Sequence, residues 1–158
     1  MVARTGHFRR RIVLFLVLLA PLTALESPVH AQGVGFQGGF TIDPEQAYFG
    51  THLETPELGY NFHFRPGIEG GFGNDLILGA INVDFVFKYQ VGAVWRIYQG
   101  GGPAIYFYRF GNPSFTEVTG GLGAVFGFAH DNGFFTEFRV GNNGPNLKLG
   151  VGWTIKSF

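Results

Sequence analysis

One feature constrains this chain more than any other. From Gln32 to the end, side chains alternate with a period of two, and the two classes that alternate are large rings on one side and charge or glycine on the other. Ala80 to Tyr89, AINVDFVFKY, shows it best: Ile81, Val83, Phe85, Phe87 and Tyr89 share one face, while Asn82, Asp84, Val86 and Lys88 share the other. No 3.6-residue apolar period competes with it, so the chain reads as strands. Clusters of Gly, Asn, Asp and Pro cut the pattern into eight runs: 33–42, 46–54, 61–73, 77–89, 96–110, 116–129, 134–140 and 147–158. Asn132-Gly133 sits between the sixth and seventh, where a tight hairpin tolerates positive φ. The face pattern of 96–110 stays open, because a bulge at Gly100–Gly102 could switch it.

The two faces decide the solvent. Phe62, Phe64, Ile68 and Phe72 oppose His63, Arg65 and Glu69; Leu122, Phe126 and Phe128 oppose Glu117 and Thr119; Phe134, Phe138 and Val140 oppose Glu137 and Arg139; Leu147, Leu149, Val151, Trp153 and Ile155 oppose Lys148, Thr154 and Lys156. The lumen of a soluble eight-stranded barrel has room for few large side chains, and 19 phenylalanines exceed it. A barrel turned inside out accommodates them, with rings toward lipid and small or charged residues inward. Runs of about nine residues are long enough for tilted membrane-spanning strands. Ile81, Val83, Phe85, Phe87, Leu149, Val151 and Trp153 are therefore the expected lipid-facing set. The expected lumen network is Glu54, Arg65, Glu69, Asp84, Lys88, Glu117, Glu137, Arg139, Lys148 and Lys156. Its signs balance, and charges in a narrow interior must pair or remain costly. Side chains near the rims are the exception, being merely solvated.

The N-terminus is a different object. Arg4, Arg9, Arg10 and Arg11 precede the apolar run Ile12–Ala20, which Pro21 interrupts; the run is too short to span a bilayer and has the layout of a secretory signal. Val29-His30-Ala31 is a small-residue cleavage site, placing the cut between Ala31 and Gln32 and leaving 32–158 as one barrel domain. Removing Met1–Ala31 takes away four of eleven basic and one of eleven acidic residues, leaving seven and ten. A mildly acidic chain with no basic stripe is a poor match for nucleic acid. Export implies an oxidising compartment, yet the chain has no cysteine, so its stability must come from something other than disulfides.

With YQGGGPAIYFY, the turn and strand HDNGFFTEFRVG, and a last strand ending on Phe158, the chain resembles the small eight-stranded outer-membrane β-barrel family, of the type of the transmembrane domain of outer membrane protein A. The resemblance implies an all-β, antiparallel, up-and-down transmembrane barrel that follows a cleaved signal peptide in a bacterial outer membrane. It implies a monomer whose partners are outer-membrane lipids and the outer-membrane assembly machinery, with Phe158 as the terminal aromatic residue that machinery reads. Lys156 and Thr154 depart from the family's habit of keeping apolar residues in step with that terminal ring. The expected role is structural or surface-interacting, with a filled, non-porin lumen and short extracellular connections at DPEQ, GND, GNPSFTE and GNNGPN.

Chemistry finds little purchase. Some barrels of this size are lipid A acyl hydrolases with a His-x-Ser pair and a downstream carboxylate; His130 followed by Glu137 is the nearest match, but position 132 is Asn. His52 and His63 sit on adjacent strands and both point inward, but no third metal ligand is spaced to join them. Gly100–Gly102 is followed by neither a helix nor a Lys-Ser/Thr pair, so it is not a phosphate loop. No cofactor is expected. The rival from another class is a soluble secreted lipid-binding barrel, which would have a ligand-sized apolar interior.

Overall fold

The computed structural model describes residues 33–73, 75–111 and 115–156. The expected signal segment, its cut at Ala31–Gln32, and Phe158 lie outside them. Eight strands form: β1 (Gly33–Ile42), β2 (Gln46–Glu54), β3 (Phe62–Gly73), β4 (Leu76–Gln90), β5 (Trp95–Phe110), β6 (Phe115–His130), β7 (Phe134–Gly141) and β8 (Leu147–Lys156). Each pairs antiparallel with its neighbour in sequence, and β8 pairs with β1 from Gly33–Lys156 to Ile42–Leu147, closing the barrel. Closure is the only way a sheet removes its own edges, and hydrocarbon tolerates no open edge.

The open register resolves without a bulge. Asn82 lies opposite Ala104 and Phe85 opposite Gly101, in the same register that pairs Gln90 with Arg96. Tyr98, Ala104 and Tyr106 therefore point inward, and Gln99 and Phe107 outward. Gly100 and Gly102 are needed because a Cβ there would run into the main-chain carbonyls of Phe85 and Val83. The Asn-Gly hairpin uses less than the pair allows: only Gly133 has positive φ (102°), while the Asn132 side chain accepts from the Phe134 amide at 3.0 Å.

The rim is staggered. The β6–β7 ladder begins at Gly123–Gly141, so the 115–121 stretch of β6 rises past β7. Asn142 and Asn143 take over at the step. The Asn142 side chain accepts from the Leu122 amide (2.7 Å), its backbone amide donates to the Leu122 carbonyl (3.0 Å), and the Asn143 side chain donates to the Gly120 carbonyl (2.9 Å). Strand ends otherwise left with orphan backbone groups are satisfied there.

Large apolar side chains cover the outside. Phe36, Phe40, Phe49, Ile68, Leu122, Phe126, Val151 and Ile155 are all exposed, Phe40 to 69%. Such a continuous apolar surface far exceeds what a water-soluble monomer carries. Tyr89, Trp95 and Trp153 lie near the end that carries both ends of the barrel chain, and Phe40, Phe72 and Phe107 near the other, as in the aromatic girdles of membrane barrels.

Candidate functional site: the barrel lumen

The interior is built by inward positions of every strand, and its glycines are seats for rings. A Cβ at Gly127 would meet the Tyr98 ring, at Gly150 the Tyr48 hydroxyl, at Gly152 the Phe135 ring, and at Gly35 the His52 ring. Tyr98, Phe135 and His52 thus lie against a bare stretch of the adjacent strand, and Tyr48 reaches past β1 to β8. Two apolar layers result: Leu78, Ala80, Ala104 and Tyr106 in one half of the barrel, and Val86, Tyr98, Val125 and Phe135 in the other.

Between them sits a closed ring of four charges. Arg65 on β3 reaches across the lumen to Glu137 on β7 (2.5 Å) and lies 3.6 Å from Asp84 on β4. Arg139 on β7 grips Asp84 with two hydrogen bonds, 2.9 and 2.6 Å, and also meets Glu137 at 3.2 Å. Each cation therefore touches both anions, and all four side chains are buried. The bidentate grip is the strong form of an Arg–carboxylate contact. Tyr98 completes the set, donating from its hydroxyl to Glu137 (3.2 Å) while its ring lies 5.2 Å from the Arg65 guanidinium. Two further pairs flank this ring along the axis. Lys88 meets Glu54 at 2.5 Å on the side of the chain ends, and Lys148 pairs with Glu69 on the other side, where Gln37 also donates to Glu69 (3.1 Å).

Eight of the ten expected lumen charges, Glu54, Arg65, Glu69, Asp84, Lys88, Glu137, Arg139 and Lys148, thus lie inside and paired. Glu117 and Lys156 do not. Both keep the inward phase of their strands but are exposed, because Glu117 lies on the part of β6 that rises past β7, and Lys156 ends β8 at the opposite rim, donating to the Asp131 carbonyl (3.3 Å). Of the expected lipid-facing set, Ile81, Phe85, Phe87, Leu149, Val151 and Trp153 are exposed, and Val83, opposite Pro66, is half-buried. Sequence reasoning missed the inward rings Tyr48, Tyr98, Tyr106 and Phe135. The signal was present: Phe135 is in step with Glu137 and Arg139, and Tyr48 with His52 and Glu54.

A cavity of about 270 Å³ opens at the end with the chain ends, lined by residues that include Glu54, His63, Lys88, Arg96, His130 and Lys156. It is a polar vestibule over the plug, with Arg96 paired to Asp131 at 2.8 Å. His130 and Glu137 do not come together as a catalytic pair. His130 packs edge-on to Trp95 (4.7 Å between centroids) and caps its own turn, accepting from the Asn132 amide (3.1 Å), whereas Glu137 is engaged by two arginines. His52 lies edge-on to Phe135 (5.4 Å), and His63 hydrogen-bonds the Thr55 carbonyl (3.0 Å). Among the described residues no group of three or more His, Asp or Glu could hold a metal ion.

No protein-family model and no curated protein matches the sequence. Solved structures of small barrels share the fold. Neisserial surface protein A superposes with a TM-score of 0.62 at 11% identity, covering 79% of this chain and 95% of that one. The N-terminal beta-barrel domain of Pseudomonas aeruginosa OprF gives 0.58 at 12% identity, over 79% and 98%. At such identities the likeness is one of architecture: the chain has the fold of the small eight-stranded outer-membrane barrels, as its alternating faces imply.

Proposed function

We propose that the protein is an integral, structural component of a bacterial outer membrane, with a lumen filled by side chains and no porin activity. One observation carries this reading: an exposed belt of large apolar residues surrounds a core of buried, mutually paired charges. That arrangement is stable where the outside is hydrocarbon, and paired charges across a narrow interior favour a closed lumen over a porin-like channel. In this reading both ends of the barrel chain face the periplasm and the connections 43–45, 74–75, 111–114 and 142–146 face outward. These are short, so most of the molecule's surface is offered to lipid, which favours a structural role over capture of a large partner. The Met1–Ala31 segment directs export, and Phe158 is the residue the assembly machinery reads. The separation of His130 from Glu137 argues against an acyl hydrolase.

The test is to separate the membranes of expressing cells and to analyse their lipid A. Recovery with the outer-membrane fraction, extractable only by detergent and with lipid A acylation unchanged, is the expected result. Recovery as a soluble periplasmic protein would favour the lipid-binding barrel, and expression-dependent loss of an acyl chain would favour the hydrolase.

A further inference from the structure

The continuous register of β5 has a consequence on the outer face. Gln99 points outward and is exposed, between Phe87 on β4 and Phe126 on β6, its two cross-strand partners. It lies four residues along the strand from the girdle residue Trp95, inside the apolar belt. Its carboxamide makes no hydrogen bond with any described side chain or backbone group, whereas Thr51, another outward polar residue, is satisfied by the Gly35 carbonyl at 2.9 Å. An amide facing hydrocarbon without a partner is unfavourable, and polar groups at such depth mark sites of interaction. Beside Gln99 the surface is hollow. A depression of about 410 Å³ is floored by Gly100 and Ala124 and walled by Phe87, Phe126 and Phe138.

We propose that this face binds a second copy of the same chain across a two-fold axis, Gln99 against Gln99. The inference rests on the reading that the outer face meets hydrocarbon. A carboxamide is self-complementary: it carries donors and an acceptor, so two of them related by a two-fold axis exchange two N–H···O bonds. The same face carries both a ridge, Phe126, and a hollow over Gly100 and Ala124, so one surface supplies both of the shapes that two copies have to match. This is the requirement of an isologous interface. An acyl chain fills such a hollow but offers nothing to hydrogen-bond the amide. The monomer expected from the sequence becomes, in the crowded plane of a membrane, one side of a reversible dimer.

The absence of native cysteine makes the test direct. Ala93→Cys places a unique, exposed label site in the β4–β5 connection, close to this face. The protein carrying donor or acceptor dye is reconstituted in phospholipid vesicles over a range of protein-to-lipid ratios, and flotation first reports whether it has inserted. Energy transfer that rises with density and saturates at a donor–acceptor pair is expected. Gln99→Leu should then shift the half-point by about tenfold, the factor that two modest hydrogen bonds carry, and Ala124→Phe, which fills the hollow, should abolish transfer while flotation is unchanged. Inserted protein that stays monomeric at every density, or association unaffected by both substitutions, overturns the dimer. Association seen only with a different outer-membrane protein overturns the second copy as occupant. Failure to float with the vesicles would instead strike the membrane reading on which the proposal stands.

Discussion

At the scale of single residues, the interior is a set of paired opposites: ring against glycine, and guanidinium against carboxylate. Tyr98 has its space because position 127 carries no side chain, and Gly127→Val would push the ring off Glu137. Overpacking of this kind costs about 1–3 kcal/mol, so the midpoint of urea unfolding in lipid vesicles should fall with the slope unchanged. The charges follow a different rule. Arg139 touches both Asp84 and Glu137 in a dry setting, so Arg139→Met leaves two carboxylates sharing the single remaining Arg65. Removing one partner of a buried ion pair costs about 3–5 kcal/mol. Arg96→Met at the vestibule removes a pair whose side chains are 35% and 36% exposed, and water and salt reduce that loss to under about 1 kcal/mol. The same unfolding measurement separates the two, and equal losses would mean that the central ring is as wet as the rim.

At the scale of elements, the strands were legible because alternation is a local signal: each boundary read from the sequence lies within a residue or two of the observed one wherever the structure describes it. The phase of β2, β3, β4, β6, β7 and β8 could be read the same way, since a charge such as Asp84 or Arg139 marks the inward side, whereas β1 carries no charge. β5 could not be phased from its own residues, because Tyr98 and Tyr106 fit either face and Gln99 looks inward by polarity alone. Its phase is set by ladders on both sides, and those are long-range facts. Closure sets the rest. The phases of Glu117 and Lys156 are read correctly, but whether an inward phase means burial depends on how far the neighbouring strand extends, as β7 shows beside β6. Phase also yields an element-level prediction. Phe85 faces outward at the middle of β4, so Phe85→Arg should cost about 2–4 kcal/mol near the bilayer midplane and lower the yield of inserted protein. Asp84→Leu, one residue away, should leave insertion competent but lower stability, since it leaves two arginines sharing the single carboxylate of Glu137. Normal insertion of Phe85→Arg alongside unaltered stability of Asp84→Leu would mean that the two faces have to be exchanged.

At the scale of the whole molecule, the question is what the charge layers do to a path along the axis. An eight-stranded barrel has an interior that side chains can fill, and in this one three sets of paired charges lie along the axis: Glu54 with Lys88, the ring of Arg65, Asp84, Glu137 and Arg139, and Glu69 with Lys148. The vestibule at one end reaches the first of these sets, since Glu54 and Lys88 are among the residues that line it. An ion crossing the barrel must part all three sets, and parting the central ring exposes buried charges without partners, an opening with a steep free-energy cost. The protein in planar bilayers should therefore show no steady porin-like conductance at neutral pH. The double substitution Arg65→Ala with Glu137→Ala removes one cation and one anion, keeps the net charge, leaves Arg139 with Asp84, and opens a gap beside Tyr98. If the charge ring is the barrier, that variant should show brief openings that the unaltered protein lacks. If the double variant stays as silent as the unaltered protein, the apolar layers around Tyr98 and Tyr106 are the barrier, and a steady open channel in the unaltered protein would mean that the lumen is not filled in the membrane.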